Sequence, residues 1–166
     1  KKEYPILPRY ESHFASLETL TLASSKSFSF RFLTQEKLAK TLLIFFPGGN
    51  FCYDQVYDFD RLLETICSPD VNVAIPILPF APANIYPQIH DHALSFVQHV
   101  LRDDQRVFNV DHIILAGSGS GAHVAMHVYN QLRHEEKISK LVLADGLYQM
   151  NALALSDLPR PETLSG

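Results

Sequence analysis

Three short segments carry residue types that could support chemistry. "GSGSG" runs from Gly117 to Gly121, "PGGN" from Pro47 to Asn50, and "ADG" from Ala144 to Gly146. In the first, glycines precede a stretch of helical character, and exposed N–H groups at a helix start can bind an anion. The glycine spacing departs from G-x-G-x-x-G, the loop falls late in the chain, and the lysine of a P-loop is missing. A nucleotide-binding α/β domain is therefore the last of three readings. The same segment fits better a tight strand-to-helix turn of the G-x-S-x-G kind, which needs small residues two before and two after its corner. Gly117 and Gly121 fill those flanks, and the corner between them is Gly119, which has no attacking oxygen. Moving the frame by one residue puts Ser120 at the corner between Ser118 and Ala122. That shift re-aims the side chain, and a misplacement of about 1 Å can lower a rate about a hundredfold.

Histidine and cysteine offer other chemistry. His123 and His127 stand four apart on one helix face, a spacing that can hold a metal. The glutamate of H-E-x-x-H and a third ligand are missing, so no metal or other cofactor is expected. His90 and His92 flank Asp91, and alternate residues on a helix do not converge. All of these read as surface or satisfied core histidines. Cys52, just past the glycine pair, reads as a small buried residue rather than a nucleophile. With Cys67 as the only other cysteine there is no disulfide framework, although one bridge remains open. A reducing, cytoplasmic setting is the default expectation.

The elements that must position these loops are legible as alternating patterns. "SFSFRFL" (Ser27 to Leu33) alternates apolar and polar like a half-buried strand, and Pro5 and Pro8 before it suggest an extended arm. "TLLIFF" (Thr41 to Phe46) is continuously apolar, as a strand covered on both faces is. Residues 58–67 have apolar positions at 59, 62, 63 and 66, a helical spacing. Residues 71–78 read as a second buried strand, residues 89–101 as a helix, and residues 112–116 as a third buried strand. A helix at 121–132 and a fourth buried strand at 140–144 complete the series. This alternation predicts an α/β fold with a mainly parallel sheet, flanking helices and right-handed crossovers. Chemistry in such sheets sits in loops beyond the carboxyl ends of the strands, where all three segments fall.

Composition narrows the function class. The 166 residues suit one domain; 46% are apolar and 19% charged, a globular balance. Net charge is −4 with no basic block, so nucleic acid is not an expected partner. The longest apolar run, Leu42 to Phe46, is too short to span a bilayer.

Taken in order, "LLIFFPGGNFCYD", "PFAPANIYPQIHDHALSFVQHVL" and "HIILAGSGSGAHVAMH" resemble the α/β-hydrolase fold, and within it the hormone-sensitive-lipase-like esterases and related small serine hydrolases. Those enzymes carry an HGGG-type loop, a Y-R-L-A-P-E-x-x-F-P-A-x-x-x-D stretch matched in spacing by Ala81, Pro82, Tyr86, Pro87 and Asp91, and a G-x-S-A-G-G elbow. The resemblance covers residues 41–146, with residues 1–40 as an arm and edge strand. It implies one α/β-hydrolase-like domain, or the N-terminal portion of one, acting on a small carboxylic ester or amide. It also implies an oxyanion hole from the N–H groups of Gly48, Gly49 and Ser120, converging on one small cavity; Pro47 stands in place of the histidine and Asn50 in place of the last glycine. Gly119 takes the nucleophile position, with Ser120 as the substitute and Asp145 as a candidate acid. All eight histidines precede Asp145, so the usual general base is absent from this chain. The alternative reading is a catalytically inactive pseudo-hydrolase that binds a small ligand or a partner protein.

Overall fold

Strands with no polar interruption need cover on both faces, and the sheet is arranged to give it. The computed structural model describes residues 15–21, 27–34, 39–53, 62–102, 108 and 110–146. Its strands are β1 (Ala15–Thr21), β2 (Ser27–Leu33), β3 (Thr41–Phe46), β4 (Val71–Pro76), β5 (His112–Ser118) and β6 (Ile138–Ala144). Helix α1 spans Gln88–Arg102 and α2 spans Ser120–Leu132. The strands form one sheet in the order β1-β2-β4-β3-β5-β6. β1, β2 and β4 pair antiparallel, whereas β4, β3, β5 and β6 are joined by parallel pairings. The predicted parallel core is therefore present, with an antiparallel pair of strands added on one side. Residues 62–66 are helical, part of the stretch expected at 58–67; 58–61 and the proline-bearing arm lie outside the described residues.

Period-two alternation divides β3 between two cores. Leu42, Ile44 and Phe46 enter a cluster with α1 and α2, while Leu43 and Phe45 join Leu63, Cys67, Val73 and Ile75 on the opposite face. On the α1 side the alternating phenylalanines of β2 form an aromatic spine. Phe28 and Phe30 lie 5.9 and 5.5 Å from Phe96 of α1, and Phe30 and Phe32 lie 5.5 and 5.8 Å from Phe108, in tilted or edge-to-face arrangements favoured by ring quadrupoles. Helix α1 buries Ile89, Ala93, Phe96, Val97 and Val100, the stripe that its sequence periodicity marks.

β6 departs from expectation. Its apolar run reads as a strand covered twice, yet the strand is only partly covered and Val142 is 53% exposed. It is the last strand of the sheet among the described residues. Leu141 and Leu143 are only partly buried against the α-helical core.

Phe96 is fully buried against Phe28 and Phe30 of the aromatic spine, so Phe96→Ala should cost about 3–5 kcal/mol. Urea unfolding should show a lower midpoint at unchanged slope, while Leu62→Ala, at an exposed position, should shift stability by no more than about 0.5 kcal/mol.

Candidate active site

The parallel register brings three strand ends together: Phe46 of β3 is opposite Gly117 of β5, and Ser118 is opposite Ala144 of β6. β5 runs straight into α2 through one residue, Gly119, at φ 53° and ψ −123°. This backbone conformation is one that L side chains rarely adopt. The Gly119 N–H donates to the Ala144 carbonyl at 2.9 Å, which pins the corner to the end of β6. The two flanks leave no room for a side chain. A Cβ on Gly117 would fall 2.3 Å from the Gly121 carbonyl oxygen, and one on Gly121 would fall 2.0 Å from that of Phe46. At the corner the situation reverses, since a Cβ on Gly119 would meet only the Gly48 Cα, at 3.8 Å.

The loop after β3 is held over this turn. Gly49 has φ 122°, and Asn50 and Phe51 follow at φ 51° and 62°. Two successive non-glycine residues in the left-handed region store local strain of the sort found at functional sites. The Gly49 carbonyl accepts from the N–H groups of Cys52 and Tyr53 at 2.9 and 3.2 Å. The Phe51 N–H donates to Ser120 Oγ at 3.4 Å, tying the loop to the first residue of α2. Among the described residues, no backbone carbonyl outside their own elements takes the N–H of Gly48, Gly49 or Ser120. Ser118 and Ser120 are both buried, and Asp145 is exposed at φ 50° just beyond β6. The structure thus gathers Gly48, Gly119 and Ser120 into one neighbourhood, with Asp145 one residue past the carbonyl that binds the Gly119 N–H.

Cys52 is exposed rather than buried, because the tight turn closed on the Gly49 carbonyl turns its side chain outward. Both cysteines are free.

The histidines also depart from expectation. His90 of α1 lies 5.2 Å from His123 and 5.0 Å from His127 between ring centroids, edge to face in both cases. Helix packing, invisible in either segment alone, makes this cluster. His90 is 3% exposed, and neither of its ring nitrogens has a hydrogen-bond partner, so it is buried but not satisfied. Burial first, then the neighbouring His127 and His123, lower its pKa from 6.5 to about 4, against the opposing pull of Asp91. Burial likewise lowers His127. Among the described residues no group of three or more His, Cys, Asp or Glu is placed to hold a metal ion. A cavity of about 600 Å³ adjoins the cluster, lined by Phe51, Asn84, Ile85, Tyr86, His90 and His123 among others. The residues that line it include neither the glycines nor Ser120.

The profile of the alpha/beta hydrolase fold matches residues 43–162. Among solved structures, ESTFA superposes with a TM-score of 0.71 at 16% identity, covering 94% of this chain and 51% of its own. EstE1, a thermophilic and thermostable carboxylesterase cloned from a metagenomic library, gives 0.70 at 22% identity, covering 95% of this chain and 56% of its own. A fungal esterase from Rhizomucor miehei gives 0.65 at 16% identity, covering 83% and 46%. The chain spans about half the length of these structures, and at such identities the likeness is one of fold. No curated protein sequence matches. Among the described residues no helix is long and apolar enough to cross a membrane.

Two outcomes follow from this geometry. Gly121→Ala drives a methyl group into backbone and should destabilise by more than about 2 kcal/mol in urea unfolding. Because the folded state holds His90 below its unfolded pKa, the unfolded chain takes up the proton first. Stability is then complete above pH 6.5 and falls as pH drops toward about 4, by at most about 3 kcal/mol from this group. Unfolding measured at a series of pH values should show that decline, and His90→Leu should flatten it.

Proposed function

The chain belongs to the α/β-hydrolase fold family, and from that premise we propose that it retains the substrate-binding frame of an esterase but not the attacking group. One observation carries this reading: the corner of the strand-to-helix turn is a glycine in the special backbone conformation of the turn, with open space where a side chain would stand. An acyl-enzyme requires an oxygen or sulfur at that point, and glycine supplies neither. The ligand class suggested by the family is a small carboxylic ester or amide. Its carbonyl oxygen would face the N–H groups of Gly48, Gly49 and Ser120, each worth about 3 kcal/mol where negative charge develops. The Gly48 Cα, 3.8 Å from where a Cβ on Gly119 would stand, supports that grouping.

Ser120 is the rival nucleophile. Its Oγ is buried and accepts the Phe51 N–H, a bond that fastens the loop to the helix. A hydroxyl so placed serves the architecture of the loop rather than attack. Asp145 remains a carboxylate at a strand end without a nucleophile to serve.

With no corner nucleophile, turnover of a nitrophenyl ester should not exceed the roughly 10³–10⁴ over water that a hydrolase site retains from its oxyanion donors and binding alone. A fluorophosphonate probe should leave the protein unlabelled, and Ser118→Ala and Ser120→Ala should change neither result. Gly119→Ser fits the space at the corner, and should stay nearly inactive because triad members act as a unit. Robust turnover that Ser120→Ala abolishes would make Ser120 the nucleophile and overturn the reading.

A further inference from the structure

The large cavity lies beside the corner, yet nothing in the elbow chemistry uses it. Its walls come from three places: Phe51 from the loop after β3, Ala81 to Tyr86 from the loop after β4, and His90 and His123 from the facing helices. Four rings meet there at contact distance. Phe51 lies 5.9 Å from His90 and 6.0 Å from His123, and Tyr86 lies 5.1 Å from His90. Among the described residues that line it there is no Asp, Glu, Lys or Arg. Its size falls within the range of small-molecule sites.

A second observation is independent of the volume. The two most exposed large apolar side chains among the described residues, Ile85 at 65% and Tyr86 at 70%, both belong to this lining. Exposed apolar surface gathered at the mouth of a concave site marks a place where something apolar is bound. The wall carrying them is braced without a ligand. The Ala81 N–H donates to the Phe51 carbonyl at 2.9 Å, the Gln88 N–H to the Ile85 carbonyl at 2.8 Å, and the Ile85 N–H to Gln88 Oε1 at 3.2 Å. The site is preformed, which spares a ligand the entropy of ordering it.

We propose that this cavity is a binding site for a small, uncharged aromatic molecule or aromatic group, held edge to face against the ring cluster of Phe51, Tyr86 and the imidazoles, with Ile85 at its mouth. The inference rests on the ligand-binding reading above and adds the ligand class and its place. The aromatic character follows from the ring geometry, since ring edges and faces offer complementary partial charges to another ring. Neutrality follows from the described lining, because an anion would enter an apolar site where no Lys or Arg among the described residues receives it. Burial keeps His90 uncharged at neutral pH, so it supplies no such cation.

The test is an equilibrium titration with 2-naphthol, followed by ligand fluorescence and by the imidazole proton resonances of the protein. Saturable binding is expected, with shifts at His90 and His123. 2-Naphthoate, the same rings bearing a carboxylate, should bind at least about tenfold more weakly. Ile85→Asp places a carboxylate at the mouth on an exposed position that the fold does not need, and should weaken 2-naphthol binding at least about tenfold. Val142→Asp, at an exposed apolar position on β6 away from the cavity, should leave binding unchanged. Absence of saturable 2-naphthol binding, equal affinity for the naphthoate, or indifference to Ile85→Asp would each overturn the proposal. Binding is read without turnover, so robust ester hydrolysis would defeat the inactive-elbow reading alone, and a failed titration would defeat this one alone.

Discussion

The approach of backbone to backbone at the start of α2 is the constraint on which the rest of the site depends. Gly117 and Gly121 lie so close to neighbouring carbonyl groups that a single methyl would collide at 2.3 and 2.0 Å. Because Gly121 seats directly against the Phe46 and Pro47 carbonyls, the first turn of α2 sits on the end of β3. The loop after β3 must then pass over the corner. That contact puts the Gly48 Cα against the space above Gly119, and it lets the Phe51 N–H reach Ser120 Oγ. Phe51 is in turn the wall shared by the corner region and the aromatic cavity. Removing the close contact would therefore disturb the loop, the helix register and the cavity together.

Small flanks and a small corner serve different ends. At 117 and 121 glycine is demanded by space, and at 119 by backbone dihedral alone. The corner has room for a side chain but imposes a sparsely populated backbone conformation that costs a non-glycine residue about 1–3 kcal/mol. A hydrolase accepts such strain because it aims the nucleophile. Glycine at 119 relieves the strain while preserving the turn.

Much of this was legible in the sequence because the signals are local. The continuous run at 41–46 and the helical stripe at 89–101 report cover on two faces and on one, and the strand ends they define place the three loops. β1 escaped notice, since the identity of a strand added antiparallel beside β2 depends on a partner rather than on its own period. β6 misled for a related reason: an apolar run records what a strand can bury, and only the sheet order says whether both faces are covered. The G-x-G-x-G spacing marked the corner, but its dihedral and the room above it are properties of the assembled turn.

The histidine cluster shows most clearly where sequence reading stops. His90 belongs to one helix and His123 and His127 to another, separated by more than thirty positions in the chain. Within the first segment the alternate His90 and His92 do not converge, and within the second His123 and His127 share a face without a third imidazole. Convergence arises because α1 and α2 pack on the same face of the sheet, joined through one hydrophobic core. The packing leaves His90 buried with unpartnered nitrogens, a polar defect in an apolar setting. Such defects cost stability, yet here the cost falls beside a preformed aromatic cavity rather than in a sealed interior. An imidazole kept neutral by burial gives that cavity a ring edge without giving it a charge. Phenylalanine would have supplied a ring and lysine a charge; the neutral histidine supplies a polarised edge that suits an uncharged aromatic guest.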